Sequence, residues 1–288
     1  MKTRHVIVGT DGTERSRAAV IWAAREAQRR GVPLRIAHVF EWDWEDYRYS
    51  VGNEYTDVSR QLAEAVVNNA SRLARETAPR IPIETDTLIG HPAARLLDIA
   101  GQAELMVLGH RGRGGFAGLR LGSVSQRVAT HAPCPVLVIR GRDDLDGPVL
   151  AGVDDSPAAD DVLTTAFEAA AAHETALSVV RSYLPAIPLW LDNVRPSEVE
   201  TPEQDAAELA QLEEQLTPWR AKYPDVIVEI LLTHDAAASA LVGASRCSQL
   251  VVVGSRGRGA VRGALLGSVG LQLLHHAECP VLIARPHQ

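Results

Sequence analysis

Gly109-His-Arg-Gly-Arg-Gly-Gly-Phe-Ala-Gly-Leu-Arg-Leu-Gly-Ser123 returns, lightly altered, as Gly254-Ser-Arg-Gly-Arg-Gly-Ala-Val-Arg-Gly-Ala-Leu-Leu-Gly-Ser268. The offset is 145 residues, and 9 of 15 positions are identical without a gap. The same offset carries His131-Ala-Pro-Cys-Pro-Val-Leu onto His276-Ala-Glu-Cys-Pro-Val-Leu. Near the start of each half, Val6-Ile-Val-Gly-Thr-Asp11 matches Val149-Leu-Ala-Gly-Val-Asp154 at an offset of 143. Three collinear matches in one order mark an internal duplication. The junction falls near Gly141–Pro148, which predicts one domain over 1–141 and a second over 148–288.

Within each copy, short apolar runs alternate with longer amphipathic stretches. The first copy offers strands at Val6–Gly9, Leu34–Phe40, Ile83–Ile89, Leu105–Gly109 and Val136–Ile139. Unbroken apolar runs such as Leu-Met-Val-Leu suit strands covered on both faces, the habit of parallel sheets. Helical patterns lie between them, at about Arg15–Arg30, Tyr55–Thr77, Ala93–Gln102 and Val124–Thr130, with Pro202–Lys222 in the second copy. Ala19, Trp22, Ala23 and Ala27 share one side of the first helix. Strands alternating with helices predict βαβ units and two tandem α/β domains with open parallel sheets.

Each repeated loop reads G-x-x-G, nine residues, then G-S: Gly109, Gly112, Gly122 and Ser123, then Gly254, Gly257, Gly267 and Ser268. Glycines let backbone N–H groups approach a ligand with no Cβ in the way. The Gly-Ser pair then opens a helix, whose N-terminus presents unpaired N–H groups and a positive dipole end. Ser123-Val-Ser-Gln126 has the pattern of a capping box. The whole element is an anion cradle. Residues 148–288 hold 9 basic and 18 acidic residues, yet Arg256, Arg258 and Arg262 crowd into the second loop, as Arg111, Arg113 and Arg120 do in the first. Solvated arginines on a mobile surface loop are the plain alternative, and recurrence at identical spacing weighs against it. No G-x-x-x-x-G-K-[ST] is present. Gly112–Ala117 satisfies G-x-G-x-x-A, but it follows the fourth strand and lacks the acidic residue about 20 positions on, so no dinucleotide fingerprint is read there.

The second element is an aspartate after the first strand, Asp11 or Asp154. If the first and fourth strands are neighbours, it faces the glycine loop across one crevice at the carboxyl ends of the strands. There it can accept from a ribose hydroxyl or help place a metal with phosphates. The alternative is a turn-forming aspartate that caps the next helix.

Bulk properties narrow the setting. With 46% hydrophobic and 23% charged residues, the 288-residue chain has an ordinary globular balance. A net charge of −7 argues against a broad basic face for nucleic acid or an anionic membrane. Three cysteines make no disulfide framework, and Cys134 and Cys279 each enter an apolar C-P-V run as packing residues. Met1–Gly12 leads straight into a strand-like segment rather than a leader, and no apolar run reaches the roughly 20 residues of a membrane span. A cytoplasmic protein is expected. The ten histidines form no H-E-x-x-H and no zinc-type cluster, and His275-His276 reads as helix capping. Trp42–Tyr49, the densest aromatic stretch, reads equally as a lid, a partner surface or packing over the sheet edge.

Taken together, these motifs resemble the tandem form of the universal stress protein family, and the resemblance covers essentially the whole chain. The G-2x-G-9x-G-(S/T) signature, the C-P-V-L entry to the last strand and the Val-x-x-Gly-x-Asp opening carry it. It implies Rossmann-like domains of five parallel strands in the order 3-2-1-4-5, with ATP between strands one and four. By this resemblance Gly9 and Asp11 line the adenosine side, Val39 meets adenine through its main chain, and Gly109, Arg111, Gly112, Arg113 and Gly114 wrap the phosphates. Gly122, Ser123 and Val124 close the site. The second copy uses Gly152, Asp154, Ser182, Gly254, Arg256, Gly257, Arg258, Gly259, Gly267, Ser268 and Val269. One departure is Gly90-His-Pro92 against His234-Asp-Ala236. The family also implies pairing of domains through Val136–Ile139 and Val281–Ala284, and a homodimer.

Neither a Walker lysine nor a marked catalytic base is present, so no catalytic residue and no protein-only metal site is assigned, and fast phosphoryl transfer is not expected. The expected function is an ATP-loaded stress or dormancy regulator that acts through a protein partner. The rivals are a slow Mg²⁺-dependent ATPase or phosphotransferase working through Asp11 or Asp154, and a scaffold in which nucleotide is structural.

Overall fold

The computed structural model describes residues 4–41, 53–113, 120–142, 146–184, 201–257 and 266–286. The chain divides into two compact units, Met1–Ile139 and Arg140–Gln288. Gly114, Arg258, Gly259, Arg262 and the aromatic stretch Trp42–Tyr49 lie outside the described residues.

The first unit runs β1 (His5–Gly9), α1 (Glu14–Arg30), β2 (Leu34–Phe40), α2 (Asn53–Thr77), β3 (Ile83–Ile89), α3 (Pro92–Ala100), β4 (Ala103–Gly109), α4 (Ser123–His131) and β5 (Val136–Ile139). Every pairing is parallel, and the neighbours give the order β3-β2-β1-β4-β5. All five residues of β1 and all four of β5 are buried, as continuous apolar runs require in a sheet covered on both faces. At the edge, β3 turns Glu84, Thr85 and Thr87 outward.

Local chemistry sets the helix ends. Thr13 caps α1 by accepting from Ser16 N, and Gly31 ends it in the left-handed region (φ 65°) with its N–H on Ala27 O and Gln28 O. The helix buries Ala19, Val20, Trp22, Ala23 and Ala27, mostly small side chains that let it lie close to the sheet. Pro92 opens α3 at its first turn, where no N–H partner is needed. The expected capping box at Ser123 does not form. Gly122 is the N-cap of α4 and no side chain caps the helix; Ser125 instead donates to Gly109 O at 2.6 Å.

The second unit repeats the plan: β6 (Val149–Gly152), α5 (Ala159–Ala172), β7 (Leu177–Ser182), α6 (Pro202–Lys222), β8 (Val228–Thr233), α7 (Ala237–Ala244), β9 (Leu250–Gly254), α8 (Ser268–His276) and β10 (Val281–Ala284). Its parallel pairings give β8-β7-β6-β9-β10, the same order by position. Phe167 on α5 is fully buried and stacks on Tyr223 at 5.8 Å between ring centroids. Cys134 and Cys279 are buried, and Cys247 is exposed. His275 and His276 form the last turn of α8.

Strand register corrects one correspondence between the copies. Val39 faces Leu88 across β2–β3, while Ser182 faces Thr233 across β7–β8. With Val39 matched to Ser182, the position of Gly90 falls to Asp235 and not to His234. Gly90 sits at φ 130°, whereas among the described residues Glu174 is the only non-glycine with positive φ. The second copy therefore turns at Asp235 with ordinary backbone.

Candidate functional site

The strand order leaves a crevice beyond the carboxyl ends of β1 and β4, where the direction of winding reverses. Glycine lets the chain enter it. A β-carbon on Gly9 would lie 2.6 Å from Leu108 Cδ2 and near Leu96; one on Gly152 would lie 2.6 Å from Leu241 Cδ1. At the end of β4, a β-carbon on Gly109 would come within 2.9 Å of Arg15 O, so the first turn of α1 closes directly over the strand end.

Asp11 bridges the two sides of this crevice. Its Oδ1 accepts from Thr13 N at 3.0 Å and from Thr13 Oγ1 at 2.7 Å. Its Oδ2 accepts from Arg113 N at 2.8 Å. One oxygen shapes the turn into α1, as the turn-forming reading expects, and the other accepts from the backbone of the glycine loop across the crevice. A β-carbon on Gly112 would stand 2.5 Å from Asp11 Oδ2, so the second glycine of the signature is where the carboxylate rests. Burial pushes the Asp11 carboxyl up, but hydrogen bonds from Thr13, Ser16 and the Arg113 amide outweigh it and hold it below its ordinary value. It is a carboxylate at neutral pH.

The second copy repeats this geometry. Asp154 Oδ1 accepts from Ser156 N at 3.0 Å and from Ser156 Oγ at 2.5 Å. A β-carbon on Gly257 would lie 2.7 Å from Asp154 Oδ2. Each loop is also tied back at its far end, by Gly122 N on His110 O (2.8 Å) and Gly267 N on Ser255 O (2.7 Å). Gly122 and Gly267 are the N-caps of α4 and α8, neither with a side-chain cap. Among the described residues no side chain takes the first amides of either helix, at Ser123–Val124 and Ser268–Val269, groups that a helix N-terminus offers to an anion. In the second unit these parts surround a cavity of about 280 Å³, lined by Asp154, Gly254, Arg256, Gly257, Gly267 and Ser268 among others. Ser182, from the end of β7, also lines it. Val39, the penultimate residue of β2, lies at the matching place, half-buried. Arg111 is half-buried beside Gly112, and Arg113 is exposed.

Sequence reasoning overlooked the residues that hold these parts in place. Thr13 and Ser156 fix the aspartates, and the repeated Asp-x-(Thr/Ser) spacing was a legible signal for them. Thr10 Oγ1 meets Ser16 Oγ at 3.0 Å and accepts from Gly12 N at 3.2 Å. His38 Nδ1 lies 2.7 Å from Thr10 O. Leu96 and Leu241, which roof Gly9 and Gly152, carry no motif at all. Among the described residues, no three His, Cys, Asp or Glu side chains converge as a metal site. No described helix is long and apolar enough to cross a membrane.

The universal stress protein family model matches residues 2–140 and again 147–285. A universal stress protein of Mycobacterium tuberculosis is 36% identical over 297 residues, covering 99% of this chain and 98% of its own length. One from Mycolicibacterium smegmatis is 32% identical over 292 residues, covering 98% and 97%. The crystal structure of a universal stress protein from Archaeoglobus fulgidus superposes with a TM-score of 0.72 at 20% identity, covering 99% of this chain and 97% of that one, a likeness of fold. The chain belongs to the universal stress protein family, with two such domains in tandem.

Proposed function

We propose that each unit binds an adenine nucleotide, ATP foremost, and that the protein is a cytoplasmic, nucleotide-gated stress regulator. One observation carries this reading: in both copies a carboxylate is seated against the second glycine of the loop, at 2.5 and 2.7 Å from its would-be β-carbon. An ionised aspartate beside a glycine-rich loop and an uncapped helix N-terminus pairs a hydroxyl acceptor with an anion cradle. Ribose and phosphates need that combination side by side. On this reading Gly9, Asp11 and Val39 serve the nucleoside, and Gly109, Arg111, Gly112, Arg113, Gly122, Ser123 and Val124 the phosphates. Gly152, Asp154, Ser182, Gly254, Arg256, Gly257, Gly267, Ser268 and Val269 do the same in the second unit. Gly114, Arg258 and Gly259 join them by position in the loop.

Any Mg²⁺ would arrive with the phosphates and take Asp11 or Asp154 as its protein ligand. An aspartate already held below its ordinary pKa is a weak proton acceptor, which favours retention of ATP over fast turnover. The output is a contact with a protein partner, and the protein works as a homodimer. Calorimetric titration of the nucleotide-stripped full chain with ATP tests the reading. Saturable binding to both units is expected; no heat at millimolar ATP would refute it. An ATP-loss assay separates the slow-enzyme rival: turnover lost in Asp11→Asn and Asp154→Asn while ATP is still bound would establish it, and turnover unaffected would argue against it.

A further inference from the structure

The two crevices differ at the end away from the glycine loop. Strand β6 lies between β9, which leads into the loop, and β7. A ligand crossing β6 with its anionic end on Gly254, Arg256 and Gly257 therefore has its other end at β7. There, among the described residues, the cavity wall is Val180, Ala237 and Leu241, with Ser182 as its polar side chain. That is a slot for a flat, largely apolar ring with one polar feature to be read.

The hydroxyl of Ser182 acts as a donor. It lies 2.6 Å from Asp235 O, and a carbonyl oxygen can only accept, so the Ser182 proton points at Asp235. What Ser182 Oγ offers to the cavity is its lone pairs. Its position is held from the opposite face of β7. Arg181, buried to 2% exposure, donates to Gln215 Oε1 at 2.7 Å and to Glu208 Oε2 at 3.4 Å. The Tyr183 hydroxyl donates to Asp205, which also meets His234 Nε2 at 2.9 Å. In the first unit the matching residue is Val39, which has no such atom.

We propose that Ser182 makes the second crevice selective for 6-amino over 6-oxo purine nucleotides, through a hydroxyl that Val39, its counterpart in the first unit, lacks. This rests on the nucleotide reading above. An exocyclic amine donates to the lone pairs of Ser182. A 6-oxo group sets acceptor against acceptor, unless the hydroxyl turns and gives up its bond to Asp235 O. Hydrogen-bond readout of this kind discriminates by leaving a polar group unpaired in the wrong complex.

The test is calorimetric titration with ATP and with inosine triphosphate, which differs in its 6-oxo purine ring. It uses the full chain carrying Gly112→Val to silence the first crevice, alone and combined with Ser182→Ala or Ser182→Thr. Ser182→Ala should lower the preference for ATP by about five- to tenfold, mainly through weaker ATP binding. Ser182→Thr, which keeps the hydroxyl, should preserve it. A preference untouched by Ser182→Ala overturns this inference while leaving nucleotide binding intact. Failure of both nucleotides to bind overturns the nucleotide reading, and this inference with it.

Discussion

Asp11 divides its two oxygens between a helix turn and a distant loop, and that division has measurable consequences. Its pKa is lowered, so its stabilising contribution is present above the ordinary value of 3.8 and is lost as pH falls through the folded value below it. Asp11→Asn should destabilise the first unit by about 1 kcal/mol at pH 7, a modest figure because the group is partly exposed. The gap between variant and parent in urea midpoint should close as pH falls below 3.8. A gap that widens with acidity would contradict the assignment. Two glycines test a different distinction. Gly112→Val places carbon where the Asp11 carboxylate rests and should weaken ATP binding in the first unit by more than tenfold, roughly the 1.4 kcal/mol that one decade requires. Gly31 has open space around its would-be β-carbon but sits at φ 65°. Gly31→Ala should therefore cost about 1 kcal/mol of stability with ATP affinity unchanged. Cysteine reactivity follows from burial. The Cys279 thiol is pushed up to about 12 by burial, against the opposing effect of Arg140 and Arg142, while Cys247 is exposed. Iodoacetamide on the native protein at pH 8 should label Cys247 and spare Cys279 until denaturant is added.

At the scale of elements, the central strands were legible because a doubly covered strand needs an unbroken apolar run, as in Leu105–Leu108 and Val136–Ile139. Leu34–Phe40, Ile83–Ile89 and Val136–Ile139 match their expected limits residue for residue. Helix Pro202–Lys222 was legible from its flanks, with proline at its first turn and acidic residues beside it. What stayed hidden was tertiary. Ser123 looked like a cap, but Gly122 takes that place and the nearby hydroxyl of Ser125 goes to Gly109 O, a partner 16 residues away. Matching Gly90 to His234 missed the register that puts Asp235 there, a position that the 145-residue offset of the loops also gives. The crevice itself was half legible. Its glycines and aspartates repeat in the sequence, while Leu96, Leu241 and the serine-to-carbonyl bond at Ser182 depend on packing. Packing also predicts cost. Phe167 is fully buried against Tyr223, so Phe167→Ala should lower the urea stability of the second unit by about 3–5 kcal/mol and leave the transition of the first in place.

For the whole molecule, duplication means that each unit carries its own aspartate, glycine loop and helix N-terminus, and on the proposed reading each binds nucleotide. Nucleotide that binds only the folded state raises stability by mass action. ATP should accordingly shift the unfolding of both units, and Gly112→Val should reduce the shift in the first alone. Native mass spectrometry of the gently purified protein tests the central claim most directly, since it reads ligand mass, stoichiometry and oligomer together. The account predicts a 31.1 kDa chain that carries adenine nucleotide, rises to two per chain with added ATP, and assembles as a homodimer. A chain that shows no adenine nucleotide as purified, and takes up none at millimolar ATP, would contradict it.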